Sequence, residues 1–236
     1  MSVAEQSIAG AEARGHGFLA SSVGRKVIMA ATGTVLFGFV TVHMIGNTQA
    51  FMGAESLNAY AKFLHSMLHG AGIWLFRAVL LAAAGLHTWA AVSLTLDNLA
   101  ARPVGYRAQQ SVASTWSSRT MRWSGVILVV FIVYHLLHLT TGQLHPNFRA
   151  PQGHEYFAYE NFVSGFQVPA AAGFYIVAQL CLGLHMWHGV WSFTQTLGLV
   201  HPRYDGLRRA FATGLTLLVV GVNICYPIAV LTGFIH

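Results

Sequence analysis

The chain has 236 residues, 55% of them hydrophobic and only 8% charged, with a formal net charge of +6. A mean hydropathy of +0.54 excludes a soluble globular enzyme and points to an integral membrane protein. The positive charge does not mark a nucleic-acid binder, because Lys and Arg are scattered at the ends of apolar runs instead of forming a patch. Two cysteines, Cys181 and Cys225, both inside apolar runs, give neither a disulfide framework nor a CxxC motif.

Residues 1–24, rich in Ala and Gly, read as a tail on the water side with room for a short surface helix. Glu5 and Glu12 and the length of the apolar run after Arg25 and Lys26 argue against a cleavable signal, so the tail is expected to stay attached. The first span, 25–50, carries the small residues Ala30, Ala31, Gly33 and Gly38, with His43 toward its far end. Residues 51–71, with Glu55, Asn58, Lys62, His65 and His69, predict a short amphipathic helix along the membrane surface. The second span, 72–96, has His87 in its second half. A basic loop, 97–120, holds Arg102, Pro103, Arg107 and Arg119 and breaks at the proline.

The third span, 122–141, carries His135 and His138 in its last third. Residues 142–168, with Pro146, Arg149, Pro151, Glu155 and Glu160, form the longest polar connection and read as a loop outside the bilayer. Pro169 suits the first turn of the fourth span, 169–197, whose second half contains His185 and His188 within "GLHMWHGVWSFTQTLG". A link with His201, Pro202, Arg203, Arg208 and Arg209 leads to the fifth span, 210–234, interrupted by Asn223 and Pro227. The expected architecture is a single all-α membrane domain of five transmembrane helices.

Five spans put the termini on opposite sides. Arg14, Arg25, Lys26, Arg102, Arg107, Arg119, Arg122, Arg203, Arg208 and Arg209 fall on the amino-terminal side, against Lys62, Arg77 and Arg149 opposite. The bias predicts a cytoplasmic amino terminus in a bacterial inner membrane and an outward-facing carboxyl terminus.

With that orientation each intramembrane histidine has a depth. His43 and His135 lie late in outward-running helices, in the outer half; His87 and His185 lie late in inward-running helices, in the inner half. One imidazole in a span is commonly a polar contact between helices. Four at two matched depths are what two stacked haems with two axial imidazoles each require. Depth pairs His43 with His135 and His87 with His185, while spacing alone leaves His138 and His188 as alternatives beside their neighbours. An iron with both axial positions filled passes electrons and binds no substrate.

At these residues the chain resembles the two-haem cytochrome b membrane subunit of bacterial succinate dehydrogenases and fumarate reductases, the type made of one five-helix polypeptide. The resemblance rests on "SSVGRKVIMAATG" at Ser21–Gly33, "VHMIGN" around His43, "GLHTW" around His87, "YHLLHLT" around His135, and "GFYIV" followed by "LHMWHGVWSF" around His185. It implies that His43, His87, His135 and His185 are the axial ligands of two haems b, and that the chain anchors an iron–sulfur subunit and a flavoprotein on its cytoplasmic side. FAD, the iron–sulfur clusters and succinate oxidation would then belong to those partners, in an assembly that leaves room for a higher oligomer. Electrons would leave the outer haem for a quinone, menaquinone by the same resemblance. Some relatives place a carboxylate after the first helix; here that region offers His65, with Lys62, His69 and Arg77 nearby, as the quinone site.

Two other readings stay in view. The membrane cytochrome of a hydrogenase or formate dehydrogenase also uses helix histidines, in a different order of spacings. A proton-coupled transporter uses them as a relay but needs acidic partners in its spans or a repeated half, and neither is visible.

Overall fold

The computed structural model describes residues 17–101, 116–196, 198 and 200–236, with only the backbone described at 116–119. Most of the expected tail, and the basic loop with Arg102, Pro103 and Arg107, lie outside the described residues.

Ser21 opens the first long helix: its hydroxyl accepts a hydrogen bond from the Gly24 N–H at 2.9 Å, and α1 then runs over Ser22–Asn47. A 3-10 turn, Thr48–Met52, and Gly53 at φ 97° redirect the chain into α2, Ala54–Ser66. Leu68, His69 and Gly70 all adopt positive φ (49°, 54° and 90°) and turn it again into α3, Ala71–Ala100. Two of these residues carry a Cβ, so the turn stores strain of roughly 1–2 kcal/mol per residue. Helix α4, Trp116–His135, continues into a single π-helical turn, Leu136–Thr140. The connection beyond it, read from sequence as a loop, contains α5, Ala158–Phe166. Pro169 begins α6, Pro169–Thr196, and α7 covers Asp205–Leu231 with Pro227 inside it.

Among the described residues, five helical stretches are long and apolar enough to cross a membrane: Ser22–Met52, Ala54–Ala100, Thr120–Thr140, Pro169–Thr196 and Pro202–Leu231. Their outer faces carry exposed Leu, Val and Phe residues such as Leu75, Leu81, Val130, Leu180 and Leu217, as a lipid-facing surface requires. Helix α1 packs on α3, α4 on α6, and α6 on α7, while α6 and α7 both also reach α1. Among the described residues neither α1 with α4 nor α3 with α6 forms a packed pair. An Arg25–Asp97 ion pair ties α1 to α3 at the end where α1 begins.

Helices α2 and α5 lie over the opposite end. Asn58 joins them, donating from Nδ2 to Glu160 Oε2 at 3.1 Å and accepting from the Tyr159 N–H at 3.0 Å. Beneath them Leu57, Phe162, Phe166, Tyr175, Tyr226 and Val230 make an aromatic-rich core. The Tyr226 hydroxyl donates to the Met44 carbonyl at 2.6 Å and fixes α7 against the far end of α1.

Candidate cofactor site

Four imidazoles face one another in two pairs, each across helices that are not packed neighbours. His43 of α1 faces His135 of α4 with ring centroids 5.8 Å apart, and His87 of α3 faces His185 of α6 at 6.2 Å. A metal–imidazole bond is about 2 Å and a ring nitrogen lies about 1.1 Å from its centroid, so two rings on opposite sides of one metal have centroids about 6 Å apart. Among the described residues no three His, Cys, Asp or Glu side chains are grouped to hold a bare metal ion. Two imidazoles per site therefore suit an iron whose other four ligands come from a porphyrin.

The levels differ. At about 1.5 Å rise per residue, His43 stands about 27 Å along α1 from the Arg25–Asp97 pair, and His87 about 15 Å along α3 from the same pair. The two pairs are thus separated by about 12 Å along the bundle.

Each ring is oriented by a neighbour. His87 Nδ1 lies 3.1 Å from the Met29 carbonyl and 3.3 Å from Thr32 Oγ1. His185 Nδ1 lies 3.3 Å from Ser124 Oγ, and His135 Nδ1 lies 3.2 Å from the Tyr175 hydroxyl. In all three the second nitrogen, Nε2, is the one left for a metal, the arrangement that fixes tautomer and ring plane at haem and zinc sites. His43 differs, because its Nε2 lies 3.2 Å from Asn47 Nδ2 one turn on; a metal on that nitrogen replaces this contact.

The second histidines of the doubled pairs have other surroundings. His138, in the π-helical turn, is buried at 2% exposure, stacks on Tyr134 and shares the Tyr175 hydroxyl with His135, at 3.1 Å. Its ring lies 4.8 Å from that of His145, whose Nε2 is 3.0 Å from Ser164 Oγ. Burial holds the His145 imidazole below its ordinary pKa, an effect the neighbouring His138 backbone partly offsets. His188 falls on α6 one turn beyond His185, without a facing imidazole among the described ring contacts.

At the α2 end, Lys62, His65, Ser66, His69, Gly70, His154 and Tyr156 line a cavity of about 300 Å³. The His65 ring lies tilted at 42° against Tyr156 with centroids 4.9 Å apart, and its Nδ1 donates to the Ala61 carbonyl at 2.8 Å. Arg77 is not among the lining residues; its guanidinium lies over the Trp74 ring, 4.8 Å from the centroid. Tyr175, Ser124 and Thr32 are the residues that sequence reasoning passes over. The one signal available for Tyr175 is a hydroxyl inside an apolar span, which demands a partner.

The family model for succinate dehydrogenase/fumarate reductase transmembrane subunits matches residues 98–224. The chain belongs to this family. The matched segment of this transmembrane subunit includes α4, α6 and most of α7, and hence His135 and His185, while His43 and His87 precede it. The subunit is also similar to the succinate dehydrogenase cytochrome b558 subunit of Bacillus subtilis (strain 168), with 26% identity over 182 residues, covering 77% of this chain and 81% of that protein. No solved structure matches it.

Proposed function

We propose that the chain is the two-haem cytochrome b anchor of a succinate:quinone oxidoreductase, taking electrons from a cytoplasmic iron–sulfur subunit and delivering them to a quinone. The observation that carries this reading is the pair of facing histidines at two levels, 5.8 and 6.2 Å between ring centroids, on four different helices. The printed description of the Bacillus relative, a succinate dehydrogenase cytochrome, supports it. His43 and His135 would hold the outer haem b, and His87 and His185 the inner one. Haem bound in this way supplies one-electron transfer with no open coordination position.

Met29, Thr32, Ser124 and Tyr175 set the ring orientations. The excess of Arg and Lys at the end where α1 begins supports a cytoplasmic amino terminus in the inner membrane, with the iron–sulfur and flavoprotein subunits docked on that face. FAD, iron–sulfur clusters and the succinate site belong to those partners.

Quinone, with menaquinone as the species assigned, would bind at the outer end, where His65 and His69 face one cavity. Reduction of a quinone takes up two electrons and two protons, so its site needs groups that exchange protons with water. His65 lines that cavity with its Nδ1–H committed to the Ala61 carbonyl, which leaves Nε2 as the ring nitrogen available to a quinone or quinol oxygen.

A reduced-minus-oxidised spectrum of the purified complex, with iron and haem quantified, tests the reading. Two b-type haems per chain are expected. Absence of haem overturns the function, and one haem per chain overturns the two-level arrangement.

A further inference from the structure

The Nδ1 atoms of His87, His185 and His135 meet different groups, and the difference sorts by level. On the inner level the hydrogen bonds end on neutral backbone: His87 donates to the Met29 carbonyl, and His185 reaches Ser124, whose own hydroxyl donates to the Met121 carbonyl at 3.1 Å. On the outer level the chain ends on a second imidazole, because His135 Nδ1 meets the Tyr175 hydroxyl at 3.2 Å and that hydroxyl meets His138 Nδ1 at 3.1 Å.

The proton count fixes the direction of this chain. A histidine that gives Nε2 to iron carries its proton on Nδ1, so His135 donates and the Tyr175 oxygen accepts. A phenol has one proton, and Tyr175 then donates it to His138 Nδ1, leaving the His138 proton on Nε2. A hydroxyl that is donating is a better acceptor, since consecutive hydrogen bonds polarise one another. His135 therefore gives its Nδ1 proton more fully to Tyr175 than an imidazole bonded to an unassisted hydroxyl would. Such a ring is a stronger electron donor to its metal and favours the oxidised iron.

The tyrosine has no freedom to leave this position. It is 5% exposed, and the rings of Phe131, Tyr134 and Phe166 stand edge-on to it at centroid distances of 5.0, 6.0 and 4.9 Å. His138 is equally fixed, stacked on Tyr134 at 5.2 Å inside the π-helical turn. That extra residue in the turn gives the hydrogen-bonded imidazole a different azimuth from a regular helix, and such turns occur most often at functional sites.

We propose that Tyr175, aimed by His138, is a positioning residue that raises the donor strength of His135 and holds the midpoint potential of the outer haem below the value an unassisted ligand would give. This rests on the two-haem reading above. The inner ligands His87 and His185 bond to Met29, Thr32 and Ser124 instead, so the inner haem is unaffected by changes at Tyr175 or His138.

The test is a redox titration of the purified complex with both haems resolved, the outer one identified as that lost in His43→Ala. In Tyr175→Phe the outer potential is expected to shift upward with the inner one unmoved. His138→Phe, which removes the acceptor for the tyrosine proton, shifts it in the same direction by less, whereas His138→Gln keeps an acceptor and stays at the wild-type value. An outer potential that is unmoved or lowered in Tyr175→Phe, or an equal shift of both haems, overturns the proposal. If Tyr175→Phe fails to retain the outer haem, the two His138 variants decide: a rise in Phe and none in Gln supports it, and identical behaviour overturns it. Wild-type complex without haem defeats the two-haem reading and this inference together, while two haems with an unmoved potential defeat this inference alone.

Discussion

A Cβ placed on Gly33 would lie 3.2 Å from Cε1 of His87, and one on Gly125 would lie 3.7 Å from Cε1 of His185. The first is tighter than ordinary contact and the second is not, so the two glycines respond differently to substitution. Gly33→Val, with two methyl groups beyond that Cβ, is expected to displace the His87 ring and remove the inner haem while sparing the outer one. Gly125→Ala is expected to keep both, and haem-to-protein ratios with a resolved redox titration check the pair of outcomes. The ligand candidates themselves were legible in the sequence because an imidazole in an apolar run costs energy and so stands out. Tyr175 and Ser124 were not, since a tyrosine beside Phe174 and a serine beside Gly125 look like ordinary packing residues. Their roles arise only where another helix brings a ring nitrogen within 3.2 or 3.3 Å, and nothing in local periodicity encodes that meeting.

The long helices were readable from apolar length, and the amphipathic spacing of residues 54–66 announced α2. Helix α5 was hidden because its nine residues, although amphipathic, follow a polar stretch broken by Gly142, Pro146, Pro151 and Gly153 that reads as loop. It forms because its apolar face, Phe162, Val163 and Phe166, is buried against Tyr175 and Tyr226. The π-helical turn after His135 was equally invisible, being a one-residue change in backbone pairing. The docking of α2 on α1 depends on Gly46, where a Cβ would collide with the Tyr60 ring. Gly46→Ala is expected to destabilise the protein by about 1–3 kcal/mol, the usual cost of overpacking. Thermal unfolding in detergent measures it, and Gly46→Ala combined with Tyr60→Ala should recover part of the loss by removing the collision.

Five crossings would place the termini on opposite faces, and the proposed orientation rests on which face carries the Arg and Lys excess. With Cys181 and Cys225 replaced by Ser, Gln152→Cys in the long connection is expected to react with a membrane-impermeant maleimide in intact cells. Arg203→Cys, in the link before α7, is expected to react only after the membrane is opened; the reverse labelling would invert the orientation and move the partner-docking face. The central claim is that four imidazoles act as two units at different depths, and this is tested most directly by haem content in paired double variants. His43→Ala with His135→Ala removes two ligands of one haem, so one haem per chain is expected to remain, whereas His43→Ala with His87→Ala removes one ligand from each and leaves none. Loss of both haems in the first pair, or retention of one haem in the second, would contradict the account.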